Sequence, residues 1–172
     1  GIYFKQIGKD SKSKVFFKRA YELIKYIENS LLKADILFSY GRTIYDEELL
    51  KDEPNMSYAK LLLMNSKEII ENYPKDINYY LYFNTILFHL GNIQSMEDDY
   101  SGAIVIYKEL LENKPERQDY LYKVNGSIAN CFKELGKHHE SIQYYTNAIN
   151  FSDNNEFKRQ YYYLRAIQYI EL

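Results

Sequence analysis

Chain-breaking residues are scarce in this sequence. Its 172 residues include only three prolines and seven glycines, and so few breakers are typical of a mostly helical protein. Cysteine is rarer still: Cys131 stands alone, which excludes an internal disulfide. It lies in an apolar stretch beside Ala129 and Phe132, a setting that predicts a small buried side chain rather than a reactive thiol.

Charge of one sign and long apolar runs are also missing. The formal net charge is −2, with both signs interspersed and no Lys/Arg-rich run, so the sequence predicts no nucleic-acid binding by this segment. No uninterrupted apolar run reaches the ~20 residues of a membrane helix, so no span is predicted either. The chain opens without Met or a signal-like segment and stops inside a helical pattern. We therefore expect it to be a piece of a longer protein, whose localisation stays unknown.

What the sequence does contain is helical periodicity and aromatic residues, with 20 Tyr and 9 Phe. Apolar residues recur at three- and four-residue steps from Ser13 to about Asp46, which predicts one long helix or two helices broken at Asn29-Ser30. Ser57 is a candidate N-cap for the next helix, and the pair Asp98-Asp99 favours a further helix start. Additional helices are predicted from residue 77, over 118–135 and 138–150, and from 156 onward, with Gly91-Asn92 either ending the helix from residue 77 or lying inside it. No alternation typical of strands is present.

A helix-pair pattern occurs twice, 38 residues apart. The first copy runs from Asn84 to about Arg117, the second from Tyr122 to about Asn155, and a third begins near Arg159. One such pair cannot bury its apolar face alone and must stack on a neighbour.

The residues of these copies resemble the tetratricopeptide repeat family. The first copy has Leu90-Gly91, an alanine-led second helix from Ala103, the aromatic Tyr107, and Pro115; the second has Ile128-Ala129, Phe132, Gly136, Tyr145 and Ala148. The third has Tyr162, Arg165-Ala166 and Tyr169. Gly91, Ala103, Ala129, Ala148 and Ala166 are small where helices of the pattern would cross.

The resemblance implies an all-α fold, a right-handed superhelix of antiparallel helix pairs with about seven to eight helices. The expected organisation is a frayed lead-in (1–12), an N-terminal helical part (13–75), two repeats (76–117 and 118–155) and the first helix of a truncated repeat (156–172). Leu37, Tyr40-Gly41 and Ile44 echo a first helix within 13–75, with 57–74 as its partner, but the connection between them is long. This part is either a degenerate repeat with an insertion or a helical cap.

Tetratricopeptide repeats bind extended peptides along a groove lined by each first helix, so the resemblance implies a protein or peptide partner. Carried onto this chain, the groove positions are Phe88, His89 and Asn92; Lys123, Ser127, Asn130 and Lys133; and Gln160, Tyr163, Leu164 and Ile167. Asn92 and Asn130 are equivalent, and their amides form either a ladder that pairs with a peptide backbone or merely a tolerated polar face. Phe88 and Leu164 replace the cations with which one branch of the family clamps a carboxylate, which argues against that activity.

No pattern of catalysis or metal binding is present. His138 and His139 point about 100° apart on a helix, and Gln143 stands where the zinc-protease spacing needs histidine. We expect no enzyme activity, no cofactor and no metal.

Two function classes remain: a non-enzymatic peptide-binding scaffold, or a ligand-sensing input domain of a larger signalling or transcription-control protein. Tyr162, Ala166 and Tyr169 share one side of the last helix, so self-association through that helix is also expected.

Overall fold

The computed structural model describes residues 10–28, 30–73, 77–113 and 118–172, and within these ranges it contains eight α-helices and no strand. The helices are α1 (Asp10–Ile24), α2 (Leu31–Glu48), α3 (Ser57–Ile70), α4 (Ile77–Met96), α5 (Tyr100–Glu112), α6 (Gln118–Glu134), α7 (His138–Phe151) and α8 (Asn155–Ile170). The predicted all-α class is confirmed. No helix in the described ranges is long and apolar enough to cross a membrane.

The chain divides into two compact units, Gly1–His89 and Leu90–Leu172, so α4 contributes to both. The repeat boundaries expected from the sequence do not coincide with this division, because the first copy begins at Asn84. Those boundaries stay predictions.

In the first unit α1 and α3 each pack on α2. Of the two alternatives for residues 13–46, the break is correct, because Ser30 caps α2 by accepting a hydrogen bond from the Lys33 N–H at 3.2 Å. The first helix begins at Asp10, so it includes the last three residues of the expected lead-in; residues 1–9 lie outside the described residues. Ser57 is the first residue of α3 rather than its cap. Its backbone N–H donates to the Asn55 side chain at 3.1 Å, so the asparagine satisfies the helix start from two residues upstream.

The close approach of α2 and α3 depends on a glycine. A Cβ at Gly41 would lie 3.0 Å from Leu62 Cβ and 3.3 Å from the Ala59 carbonyl oxygen. Ala59 is fully buried, so the two helices cross where both residues are small. Residues 49–56 then connect α2 to α3 over an exposed surface, apart from the buried Met56.

In the second unit α5 packs on α6, α6 on α7, and α7 on α8. Asp99 caps α5, as its position predicts, and accepts from the Gly102 N–H at 2.9 Å. The turn between α6 and α7 contains Gly136 at φ 67°, a backbone conformation that glycine adopts without strain. Gly91 and Asn92 lie inside α4 rather than at its end. Pro115 of the first copy lies outside the described residues.

The small residues of both copies are buried as predicted: Ala103, Ala129 and Ala148 have 0% exposure, and Gly91 faces the Tyr107 ring. Ala166 differs, because it is exposed on α8. Exposed Tyr162 and Tyr169 lie on the same side of the helix as Ala166. In the described structure this side of α8 is open to solvent.

Candidate functional site

One face of α6 carries polar side chains between two neighbouring helices of the second unit. Lys123, Ser127 and Asn130 recur at four- and three-residue steps, a spacing that places them on one helical face. Lys123 and Asn130 are exposed and Ser127 is half-buried.

Contacts on either side of that face show which helices border it. The Cys131 thiol lies 3.7 Å from the Ser95 hydroxyl of α4, and a Cβ at Gly126 would come within 2.6 Å of the Tyr161 ring of α8. At 100° per residue, Cys131 and Gly126 fall on opposite sides of the line through Lys123, Ser127 and Asn130. The polar face of α6 is therefore flanked by α4 and α8, as a groove floor requires.

A side-chain hydrogen bond is repeated in both copies. The Tyr107 hydroxyl of α5 donates to Asn92 Oδ1 at 2.6 Å, and the Tyr145 hydroxyl of α7 donates to Asn130 Oδ1 at 2.5 Å. Each pair is separated by 15 residues. Each asparagine thus anchors its first helix to the second helix of the same copy, a role that neither of the two sequence interpretations included.

The tyrosine hydroxyl is the donor in both bonds. Burial raises the pKa of Tyr145 to about 12, so its hydroxyl keeps its proton at neutral pH. With Oδ1 of Asn130 accepting that proton, the Nδ2 group points to the other side of the planar amide. Because Asn130 is exposed, the arrangement presents amide N–H donors on a side chain whose orientation is set by packing.

The two lysines of α6 differ in their electrostatic setting. Lys133 Nζ lies 2.7 Å from a carboxylate oxygen of Glu134, so its charge is locally offset. Lys123 Nζ lies 5.8 Å from the centre of the Tyr122 ring and is exposed. Lys123 is therefore the stronger local source of positive potential on this face.

Phe88 and His89 belong to the first unit. The His89 ring centre lies 4.9 Å from that of Tyr45 and 6.4 Å from that of Phe38, both on α2. Phe88 lies 6.2 Å from His89, and both residues are half-buried. These two predicted groove residues thus form part of an aromatic cluster, whereas Asn92 belongs to the second unit.

On α8 the predicted groove residues lie beside its packed face. Tyr161 contacts α6, and Arg165 Nη1 donates to the Thr146 hydroxyl of α7 at 2.9 Å. Tyr163 is 68% exposed. Gln160 is exposed, and Leu164 and Ile167 are half-buried.

The described residues include neither a metal-binding group nor a reactive thiol. No group of three His, Cys, Asp or Glu side chains there is arranged to hold a metal ion. His138 Nδ1 lies 3.0 Å from Oε1 of the buried Gln168, which ties α7 to α8. Cys131 is buried, as predicted, and burial raises the pKa of its thiol, which keeps the thiol protonated and unreactive.

Comparison with known families identifies the second copy. Residues 122–155 match the tetratricopeptide repeat family model, the stretch over which the second copy was delimited from sequence, so the resemblance is confirmed there. A comparison with curated protein sequences gives no match. The repeat is of a kind typical of protein-interaction scaffolds, which indicates protein partners.

Proposed function

We propose that the second unit is a non-enzymatic peptide-binding scaffold that holds an extended chain against the polar face of α6, between α4 and α8. The observation that carries the proposal is the repeated Asn–Tyr hydrogen bond, at 2.6 Å and 2.5 Å. A side chain held in place by a second helix loses little conformational entropy when it binds, and preorganisation of this kind favours affinity.

The bound chain would be read mainly through its backbone. Asn130 offers amide N–H groups, which suit the carbonyl oxygen of an extended peptide whatever its side chains. Ser127 adds a hydroxyl, and Lys123 favours a partner with acidic character through a salt-sensitive attraction. Asn92, half-buried at the equivalent place of the first copy, would contact a second stretch of the same chain.

The sharpest test separates the donor role of Asn130 from its structural role. Asn130→Asp keeps an oxygen that accepts from Tyr145 but removes the N–H donors. A peptide selected from a random library on the wild-type protein serves as the probe, with affinity measured by fluorescence anisotropy. We expect Asn130→Asp to weaken binding about tenfold, consistent with ~1.4 kcal/mol for a lost hydrogen bond, while the unfolding midpoint changes little.

Asn150→Asp is the matched control, because Asn150 is exposed on α7, away from this face, and the substitution adds the same charge. It should leave affinity unchanged. Equal affinity of wild type and Asn130→Asp for the selected peptide would refute the groove and leave the other faces of the second unit, or the first unit, as candidate binding surfaces.

A further inference from the structure

The first unit contains a cleft that the peptide-binding proposal does not use. Its volume is about 460 Å³, and it is bordered by α1, α2 and α3. Ile24, Leu37 and Ile69 line it, with exposed fractions of 2%, 3% and 5%. Ligand sites commonly enclose about 300–1,000 Å³, and this cleft has that size, with a lining that combines apolar and charged residues.

The rim of the cleft carries charged side chains of both signs. Lys33 lies in the first turn of α2, and its Nζ donates to the Ile27 carbonyl at 3.3 Å. Glu68 lies in the last turn of α3 and is exposed, with half-buried Asn65 one turn before it. Glu22 and Lys25 add one further charge of each sign, so the lining is formally neutral but locally polarised.

The helix termini reinforce this polarity. The N-terminus of a helix carries partial positive charge and the C-terminus partial negative charge. At this cleft α2 begins beside Lys33, so a carboxylate is favoured there. Because α3 ends beside Glu68, an ammonium group is favoured at that side. Asn65 can donate to or accept from either group.

From this arrangement we propose that the cleft binds a small zwitterion with an apolar body, of about the size of a dipeptide. The apolar body covers Ile24, Leu37 and Ile69. The carboxylate pairs with Lys33 and the ammonium with Glu68. A ligand that carries only one of the two charged groups would pair at one end and lose the ion pair at the other. This site is independent of the groove on α6.

The probe is the dipeptide Leu-Leu, compared with N-acetyl-Leu-Leu, which lacks the ammonium, and Leu-Leu amide, which lacks the carboxylate. Titration calorimetry on the whole 172-residue chain at pH 7 gives the three affinities. We expect the zwitterion to bind about tenfold more tightly than either blocked form, the effect of one charge-assisted hydrogen bond.

Two substitutions test which side chain binds the carboxylate of the dipeptide and which binds its ammonium group. Lys33→Gln should weaken binding of Leu-Leu about tenfold but leave binding of Leu-Leu amide unaffected, because the amide has no carboxylate that pairs with Lys33. Glu68→Gln should weaken Leu-Leu but not N-acetyl-Leu-Leu. Lys18→Gln, on an exposed residue of α1 that does not line the cleft, is the control for the change in charge and should leave all three affinities unaltered.

Asn65→Phe fills the cleft from its rim and should abolish binding of all three probes, while thermal unfolding checks that each variant is folded. Asn130→Asp should bind Leu-Leu as the wild type does, which keeps this proposal distinct from the groove. The proposal is overturned if the blocked peptides bind as tightly as Leu-Leu, if Lys33→Gln weakens the amide equally, if Asn65→Phe still binds, or if none of the probes binds at millimolar concentration.

Discussion

Two helix pairs, α2–α3 in the first unit and α6–α7 in the second, are built around the same kind of crossing. In α2–α3 the crossing uses Gly41 and fully buried Ala59. In α6–α7 the fully buried Ala129 faces the buried Ser141, whose hydroxyl donates to the Ala129 carbonyl at 2.9 Å. A buried serine of α3, Ser66, likewise donates to a carbonyl of α2, that of Ala34, at 2.8 Å, seven residues before Gly41.

The pairs differ in their connection and in their polar bond. Residues 49–56 join α2 to α3, whereas residues 135–137 suffice between α6 and α7. Asn130 follows the small residue of α6 and bonds Tyr145, but exposed Arg42 follows Gly41 and lies 4.0 Å from Asp46 of its own helix. Close packing of small residues therefore does not require the short turn, because loop length changes closure entropy only slowly. We interpret α2–α3 as a degenerate repeat with a longer connection that lacks the Asn–Tyr bond.

The largest expected effect tests whether the second helices of the two pairs, α3 and α7, are packed equally tightly. Ala59→Leu and Ala148→Leu each add three carbons where exposure is 0%, and overpacking of this kind costs about 1–3 kcal/mol. Chemical denaturation should show a loss of about 2 kcal/mol or more in both variants. Ala166→Leu, at an exposed alanine of α8, is the control and should stay within ~0.5 kcal/mol. An unchanged midpoint for Ala59→Leu alone would break the equivalence of the pairs.

The glycines give a finer comparison of how closely the helices approach. A Cβ at Gly91 would lie 2.5 Å from Cε1 of the buried Tyr107, whereas a Cβ at Gly41 would lie 3.0 Å from its nearest neighbour, Leu62 Cβ. Alanine favours a helix over glycine by about 1 kcal/mol, which offsets part of the crowding. We expect Gly91→Ala to destabilise by about 1–2 kcal/mol and Gly41→Ala to stay within about 1 kcal/mol of wild type, by urea denaturation.

The destabilisation expected for Gly91→Ala is limited, because the second copy has an alanine at the equivalent position. That residue is Ala129, which occurs there together with Tyr145, the equivalent of Tyr107. The Tyr107 ring can therefore move to admit a methyl group. If Gly41→Ala were the more damaging substitution, α2 and α3 would be the more tightly crossed pair and the ranking would be reversed.

Features fixed by neighbouring residues were predictable from the sequence. Ser30 and Asp99 cap helices as their residue types indicate, and Ala103 and Ala148 are buried because their spacing places them on apolar faces. Ser57 was misassigned because the helix begins one residue earlier than expected, with Met56 at the N-cap position and the Asn55 side chain accepting from the Ser57 N–H. This arrangement depends on the loop conformation rather than on residue type.

Features that depend on long-range placement were not predictable. Asn92 and Asn130 were recognised as equivalent, but their bonds to Tyr107 and Tyr145 depend on how the two helices of a copy are packed. The tyrosine 15 residues later in both copies was the available signal. The cleft under Lys33 and Glu68 needs three helices at once, and no periodicity within one helix indicates it.

A smaller effect is expected for the Asn–Tyr hydrogen bond, which α6–α7 has and α2–α3 lacks. Tyr145→Phe removes the hydroxyl that donates to Asn130 at 2.5 Å, which should cost about 1–1.5 kcal/mol of unfolding free energy and weaken the groove peptide a few-fold by freeing the amide. Tyr26→Phe, at a hydroxyl on an 80% exposed side chain of the first unit, is the control and should change neither quantity. A Tyr145→Phe variant as stable as the wild type would show that the bond contributes nothing beyond what water supplies.

The smallest expected effect concerns the serine bonds that both pairs share. Ser66→Ala and Ser141→Ala each remove one buried hydroxyl, at 0% exposure, that donates to a backbone carbonyl of the facing helix. Each loss should cost about 0.5–1 kcal/mol, because the hydrogen bond contributes about 1 kcal/mol and the higher helix propensity of alanine returns part of it. Ser101→Ala, at an exposed serine of α5, should be neutral or slightly stabilising. Because each serine is fully buried and makes one hydrogen bond of the same kind, the Ser66 and Ser141 variants should agree within about 0.5 kcal/mol in urea denaturation, whatever the length of the connecting loop. A much larger loss for Ser141→Ala would mean that α6 and α7 depend on this polar contact, while α2 and α3 are held by apolar packing alone.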